Sequence, residues 1–178
     1  MAASFRVGDK VVYPNHGVGI IEHISAADED RALPQFYQLR IEASNLRVMV
    51  PFGNAESVGL RPPTPAAELA VILAYLEQSE AFEASSDWKG RFRVNSEKMR
   101  QGVLEQVAEV LKSLAQLNQA KPLSFREKKM LDRAAFLLAA ELACARKVGP
   151  EQALAEVQSS LAKAGVVLPP ADEEDGHS

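Results

Sequence analysis

Apolar and polar residues alternate with a period of two in the first third of the chain, which is the pattern of short β-strands. Runs such as 10–13 and 46–50 are rich in β-branched residues and end at turn residues or proline. Gly19 lies inside the second run, where a glycine is typical of a bulge or of a close backbone approach. Four or five short strands with tight turns predict a small, strongly curved β-barrel over residues 5–60.

The period changes to 3.6 after residues 61–65, which contain three prolines and form a stiff breaker. Periodicity, start signals and stop signals predict helices over about 65–78, 88–101, 103–118, 124–148 and 150–164. The predicted N-caps are Thr64, Ser86 or Asp87, and Ser124, the last in a capping box with Glu127.

These elements predict an α+β protein with two domains. A small SH3-like β-barrel occupies residues 1–61, and an all-α bundle of about five helices occupies residues 65–164. Residues 165–178 form an acidic segment with few apolar residues, which we expect to be a disordered tail.

The segment 86–93 contains the only tryptophan, Trp88, with Lys89, Arg91 and Arg93 within five residues of it. Cations attract phosphates, and an indole ring can wedge between or against bases, so the pattern is typical of a nucleic-acid interface. The alternative is that Trp88 is a buried core anchor and the cations merely solvate the helix, as is common for a lone tryptophan.

The net charge of −4 and the pI of about 5.5 conceal a strong charge asymmetry. Residues 88–147 carry 13 Lys and Arg against 6 Asp and Glu. The flanking segments are acidic, with 6 against 12 in residues 1–87 and 1 against 6 in residues 148–178. Because the basic block begins at Trp88, it favours contact of this part of the chain with a polyanion.

Other classes of function find little support in the sequence. No apolar run is long enough to cross a bilayer and no signal peptide is recognisable, so we expect a cytoplasmic protein. Cys144, the single cysteine, lies in an apolar helical stretch and is interpreted as a buried hydrophobe. Phosphate-loop, dinucleotide and metal-ligand patterns are missing, and Glu109 and Glu141 are isolated carboxylates. We therefore expect no enzymatic activity, cofactor or metal.

Several stretches resemble one known family in consistent order. The opening Phe5-Arg6-Val7-Gly8-Asp9-Lys10-Val11-Val12-Tyr13-Pro14-Asn15-His16-Gly17-Val18-Gly19 is similar to that of the CarD/CdnL family of bacterial transcription regulators. The resemblance covers about residues 4–162, and its further segments are 48–51, 57–61, 88–93 and 123–131. Because the basic block is followed by an acidic tail, the chain is similar to the shorter, CdnL-type members.

The resemblance implies a Tudor-like barrel that binds the β subunit of RNA polymerase. It also implies a helical domain that touches promoter DNA at the upstream edge of the melted region and stabilises the open complex formed with the primary sigma factor. Such a protein would be nucleoid-associated through the polymerase. A second hypothesis remains, in which the protein is an interaction adaptor that does not bind DNA and buries Trp88 in its core.

The DNA contacts that the resemblance implies by position are Trp88, Arg91, Arg93 and Lys128. Where family members commonly have arginine, this chain has Gly90, so one expected phosphate contact is missing, and Lys89 is the candidate substitute.

The implied polymerase contacts lie on the third and fourth strands, at Leu39, Met49 and Pro51, with Arg47 near them. Alternation places Arg47, Met49 and Pro51 on one face of the fourth strand, and a face that contains arginine is expected to point outward. For Leu39 and Met49, the alternative is that both belong to the barrel core.

Overall fold

The computed structural model of the protein describes residues 4–25, 34–79 and 87–171. Its N-terminal part is an antiparallel sheet in the order β1-β2-β3-β4. The strands are β1 (Lys10–Tyr13), β2 (Gly17–Ile24), β3 (Phe36–Ile41) and β4 (Arg47–Pro51), followed by a 3₁₀ turn, Phe52–Asn54. An isolated bridge between Val12 and Arg61 adds a short fifth segment beside β1. The barrel-like β architecture predicted from the alternating pattern is confirmed.

Gly19 lies where two strands of the sheet approach closely. A Cβ atom at this position would be 3.0 Å from the carbonyl oxygen of Arg40 on β3, which is tighter than ordinary van der Waals contact. The register shift between β2 and β3 lies farther along, between Ile21 and His23. The close backbone approach predicted at Gly19 is therefore confirmed, and the bulge occurs at a separate position.

The rest of the described chain contains five helices, as predicted. They are α1 (Ala66–Glu77), α2 (Trp88–Gln101), α3 (Leu104–Ala120), α4 (Phe125–Arg146) and α5 (Pro150–Lys163). Ser124 is the N-cap of α4, and its hydroxyl accepts a hydrogen bond from the Glu127 N–H at 3.2 Å. Gly102, with a φ of 70°, ends α2 in the left-handed conformation that glycine adopts readily.

Two predictions at element ends are corrected. Thr64 is not the N-cap of α1, because Pro65 occupies that position and the Thr64 side chain is buried against Glu141. The helical core also extends beyond Ala164, since Val166 is buried and its N–H bonds to the Leu161 carbonyl. The remainder of the predicted acidic tail, residues 172–178, and most of the connector before α2, residues 80–86, lie outside the described residues.

Glu141, which the sequence presents as isolated, is the centre of a buried network between the barrel and the helices. Its carboxylate accepts hydrogen bonds from both terminal nitrogens of Arg61, at 2.7 and 2.8 Å. It also accepts from the Thr64 N–H at 3.0 Å and the Thr64 hydroxyl at 2.8 Å. Arg61 further donates to the Gly102 carbonyl at 3.2 Å. Arg61, which forms the bridge with Val12 of β1, is thereby hydrogen-bonded to α4 and to the end of α2.

Close packing adds to this connection. Gly17, at the start of β2, has a φ of 102°, and a Cβ atom there would be 3.4 Å from the Phe136 ring on α4. A residue other than glycine at this position would be strained by the positive φ, and its Cβ would be in van der Waals contact with that ring. The barrel therefore lies directly against α4, and the surfaces of the two domains have a defined relative position.

Candidate nucleic-acid interface

Trp88 is the first residue of α2 and is 47% exposed. The Asp87 side chain caps the helix by accepting a hydrogen bond from the Gly90 N–H at 3.1 Å. The buried residues of α2, Asn95 and Met99, come two and three turns later, so the first turn extends beyond the core. The alternative interpretation of Trp88 as a core anchor is wrong.

Gly90, which replaces an arginine common in the family, lies directly against this cap. A Cβ atom at Gly90 would be 2.5 Å from the Asp87 carboxylate, so the glycine leaves the space that the capping group occupies. Lys89 is exposed beside it. An exposed lysine is available to a phosphate, which is consistent with Lys89 as the substitute for the missing arginine.

Arg91 differs from the expectation that it contacts phosphate. Its Nε lies 3.1 Å from a carboxylate oxygen of Glu127, and the two side chains are only 11% and 5% exposed. The Glu127 carboxylate also accepts a hydrogen bond from the Ser124 hydroxyl at 3.2 Å. Arg91 is therefore engaged in a largely buried ion pair that joins the first turn of α2 to the first turn of α4. This pairing does not fit the expected direct contact of Arg91 with phosphate.

The Arg91–Glu127 pair brings the beginnings of two helices to one surface. Near these two helix starts Lys89 and Arg93 of α2 and Lys128 of α4 are all exposed. The N-terminal ends of both helices add partial positive charge from their first N–H groups. We call this region, formed by residues 87–93 and 124–129, the helix-start surface. It combines an exposed indole with a concentration of positive charge.

Phe125 is a further exposed aromatic residue that the sequence reasoning missed. As the first residue of α4 it is 70% exposed, and the Lys129 Nζ lies 5.4 Å from the centre of its ring. The capping box at Ser124 was the available signal, because it places Phe125 at the first helical position, ahead of the buried stripe of α4.

A second surface lies on β4, the last strand of the sheet. Met49 is 64% exposed and Arg47 is exposed, whereas Val50 between Met49 and Pro51 is buried. The predicted alternation of β4 is confirmed, with Pro51 partly buried at its end. Among the described residues β4 pairs only with β3, so its other edge is unpaired.

Leu39 does not belong to this surface. It is 0% exposed and lies in the barrel core, because β3 alternates and its Tyr37, Leu39 and Ile41 point inward. We therefore correct the expectation that Leu39 is a direct contact, and the core alternative holds for it. The exposed candidates on the barrel are Arg47 and Met49.

Reactive chemistry is not evident in the described residues. They contain no group of three or more metal-ligating side chains, and none of their helices has the length and apolar character required to traverse a bilayer. Burial raises the pKa of the Cys144 thiol, which keeps it in the less nucleophilic protonated form. Burial, and secondarily the Arg133 charge, lowers the pKa of His16.

Comparison with known proteins covers both parts of the chain. The profile of the CarD-like/TRCF RID domain matches residues 5–63, and the profile of the CarD C-terminal domain matches residues 71–158. The chain is also 34% identical over 148 residues to YdeB of Bacillus subtilis (strain 168), which is named as a candidate transcription factor. That alignment covers 83% of this chain and 96% of YdeB. The chain therefore belongs to the CarD/CdnL family of CarD-like transcription factors.

Proposed function

We propose that this protein stabilises the open promoter complex by binding the β subunit of RNA polymerase through its barrel and promoter DNA through its helical domain. The observation that carries the DNA part is the helix-start surface, in which Trp88 and the cations Lys89, Arg93 and Lys128 are all exposed. The match of the barrel to a CarD-like/TRCF RID domain supports interaction with RNA polymerase in general.

On the barrel, the proposed polymerase contact is the edge of β4 that pairs with no other described strand, together with the exposed Met49 and Arg47. A free strand edge offers backbone donors and acceptors to a strand of a partner, and a methionine side chain adapts to an irregular apolar surface. This tether would hold the helical domain near the promoter at a high effective concentration, so a weak DNA contact would suffice.

On the DNA, the ring of Trp88 would stack at the upstream edge of the melted region while the exposed cations contact phosphates. A stacked base is available only when the duplex is distorted or melted, so the contact favours the open state over the closed one. Stacking on an aromatic side chain is worth about 1–3 kcal/mol per base. A contact of that size prolongs the open complex by about 5- to 150-fold.

The adaptor hypothesis loses its main premise, because Trp88 is not buried in the core. No step of the proposed mechanism requires catalysis or a cofactor. The contacts are stacking and phosphate contacts, so we expect weak dependence on base sequence.

Trp88→Ala tests the DNA part of the proposal. The variant should fold normally and bind polymerase, yet shorten the lifetime of the open complex by about 5- to 150-fold, measured as dissociation in the presence of a competitor. Val71→Ala is the matched control, because Val71 is an exposed apolar residue on α1. An open-complex lifetime unchanged by Trp88→Ala, or a variant that does not fold, would refute the stacking contact.

Met49→Asp tests the polymerase part of the proposal in a pull-down with the isolated β subunit. The new charge should abolish or strongly reduce binding, because it would have to be desolvated at the strand edge. Val7→Asp places the same charge at another exposed apolar position of the barrel and should bind normally. Equal binding by both variants would exclude the β4 edge as the contact.

A further inference from the structure

A cleft of about 530 Å³ lies where the barrel meets the helical domain. Its walls come from the turn at residues 13–16 between β1 and β2, from Val58, from the last turns of α2 and from the first half of α4. None of the segments proposed to contact DNA or polymerase lines it, apart from Lys129 at one end of the helix-start surface.

The cleft has an unbalanced positive charge. Arg100, Lys129 and Arg133 line it, and none of the described lining residues is Asp or Glu. Within the described part of the chain, Lys129 and Arg133 form no ion pair, and each lies near an aromatic ring on its own helix. Arg100 pairs with Glu97, but that carboxylate is half-exposed and is not a lining residue. Lys129 and Arg133 thus lie in a concave site without a paired carboxylate among the described residues, and such cations attract an anion from outside.

The cleft also continues the helix-start surface. Phe125, Lys129 and Arg133 are spaced by four residues, so they follow one face of α4. With a rise of about 1.5 Å per residue, Arg133 lies about 12 Å farther along the helix than Phe125. Phosphates of one DNA strand are separated by about 3.4 Å along the axis, so this distance corresponds to three or four nucleotides.

We propose that a backbone phosphate of the bound promoter DNA occupies this cleft between Arg133, Lys129 and Arg100. This inference rests on the proposed function and adds to it a second contact, three or four nucleotides along the strand from the DNA that meets Phe125. The turn at residues 13–16 then forms one wall of the DNA site. A phosphate fits the site better than a protein carboxylate does, because Lys129 and Arg133 of the cleft continue the face of α4 that begins at the exposed Phe125 of the helix-start surface.

Arg133→Gln tests the phosphate contact in the full-length protein. The probe is a labelled promoter duplex with a preformed mismatched bubble, and the readout is anisotropy at several salt concentrations. We expect affinity to fall by about tenfold, as for the removal of a charged hydrogen bond. The slope of log affinity against log salt should become shallower by about 0.9 for each phosphate that the variant no longer neutralises. Arg133→Lys should retain the slope, because it retains the charge.

Lys147→Gln is the matched control, since Lys147 is an exposed cation at the opposite end of α4, and it should leave affinity and slope unchanged. If Arg133→Gln does not fold, Lys129→Gln provides the same test from an exposed position. If either variant binds DNA normally but loses polymerase in a pull-down, the cleft accepts an acidic protein surface and the phosphate contact is wrong.

The failure of this inference is distinguishable from that of the proposed function. If Trp88→Ala weakens DNA binding and Arg133→Gln matches the wild type in affinity and salt slope, the cleft contact is refuted and the stacking contact stands. If Trp88→Ala and Arg133→Gln both leave the lifetime of the open complex with polymerase unchanged, the DNA function itself is refuted, and the cleft contact with it.

Discussion

Loss of the Arg61 side chain should destabilise the protein strongly, because it removes half of the hydrogen bonds that Glu141 accepts. In Arg61→Met, the Glu141 carboxylate, which is only 2% exposed, keeps the two bonds from Thr64 and loses both bonds from the guanidinium. Removing one partner of a buried ion pair costs about 3–5 kcal/mol. Arg61 is 28% exposed, so solvent partly screens the pair, and we expect a loss of about 2–4 kcal/mol.

The assay is equilibrium unfolding in urea, followed by circular dichroism and by Trp88 fluorescence. The double variant Arg61→Met/Glu141→Leu should lose much less than the sum of the single variants, because it leaves no uncompensated buried charge. Arg146→Met is the control, since its pair with Glu156 is exposed, and its free energy of unfolding should change by less than about 1 kcal/mol. A loss below about 0.5 kcal/mol for Arg61→Met, or additive effects in the cycle, would refute this account.

Two further predictions concern the contact between the domains. His16 should titrate by NMR below its ordinary pKa of 6.5, and Arg133→Gln should raise that pKa only part of the way, since burial is the larger cause. Between the lowered pKa of folded His16 and its ordinary value, the unfolded chain binds more protons than the folded one. His16 should therefore make the protein less stable as pH falls below 6.5. An unchanged His16 pKa in Arg133→Gln would contradict the contribution of the Arg133 charge. Gly102→Ala should cost at least about 1 kcal/mol in urea unfolding, because its φ is positive and the new Cβ would lie 2.7 Å from the Pro14 Cβ. Gly53→Ala has open space and should change stability by less than about 0.5 kcal/mol, so similar losses in both variants would contradict this explanation.

Local signals were sufficient to predict where the elements lie. The capping box at Ser124 and the glycine at 102 determine helix ends through bonds within a few residues, and both are visible in the sequence. The exposure of Met49 followed from alternation along a single strand.

The errors arise where a side chain finds its partner far along the chain. Arg91 forms an ion pair with Glu127, 36 residues later, and Arg61 forms one with Glu141, 80 residues later. No periodicity or spacing rule relates residues that are so far apart in the chain. The sequence therefore gives no signal that Arg91 pairs with Glu127 or that Glu141 has hydrogen-bond donors. Leu39 had a local signal for burial, and its assignment to the surface followed from position in the family alone.

The bonds of Arg61 to α4 and to the end of α2 have a consequence for promoter choice. They oppose changes in the separation between the β4 edge and the helix-start surface, because such a change would break buried hydrogen bonds. If polymerase holds one and DNA meets the other, the protein can act only where the melted region begins at a matching distance. A shift of one base pair moves that boundary by about 3.4 Å, which a rigid protein cannot follow while keeping both partners bound. Selectivity among promoters would then depend on the position of the boundary rather than on the identity of the bases.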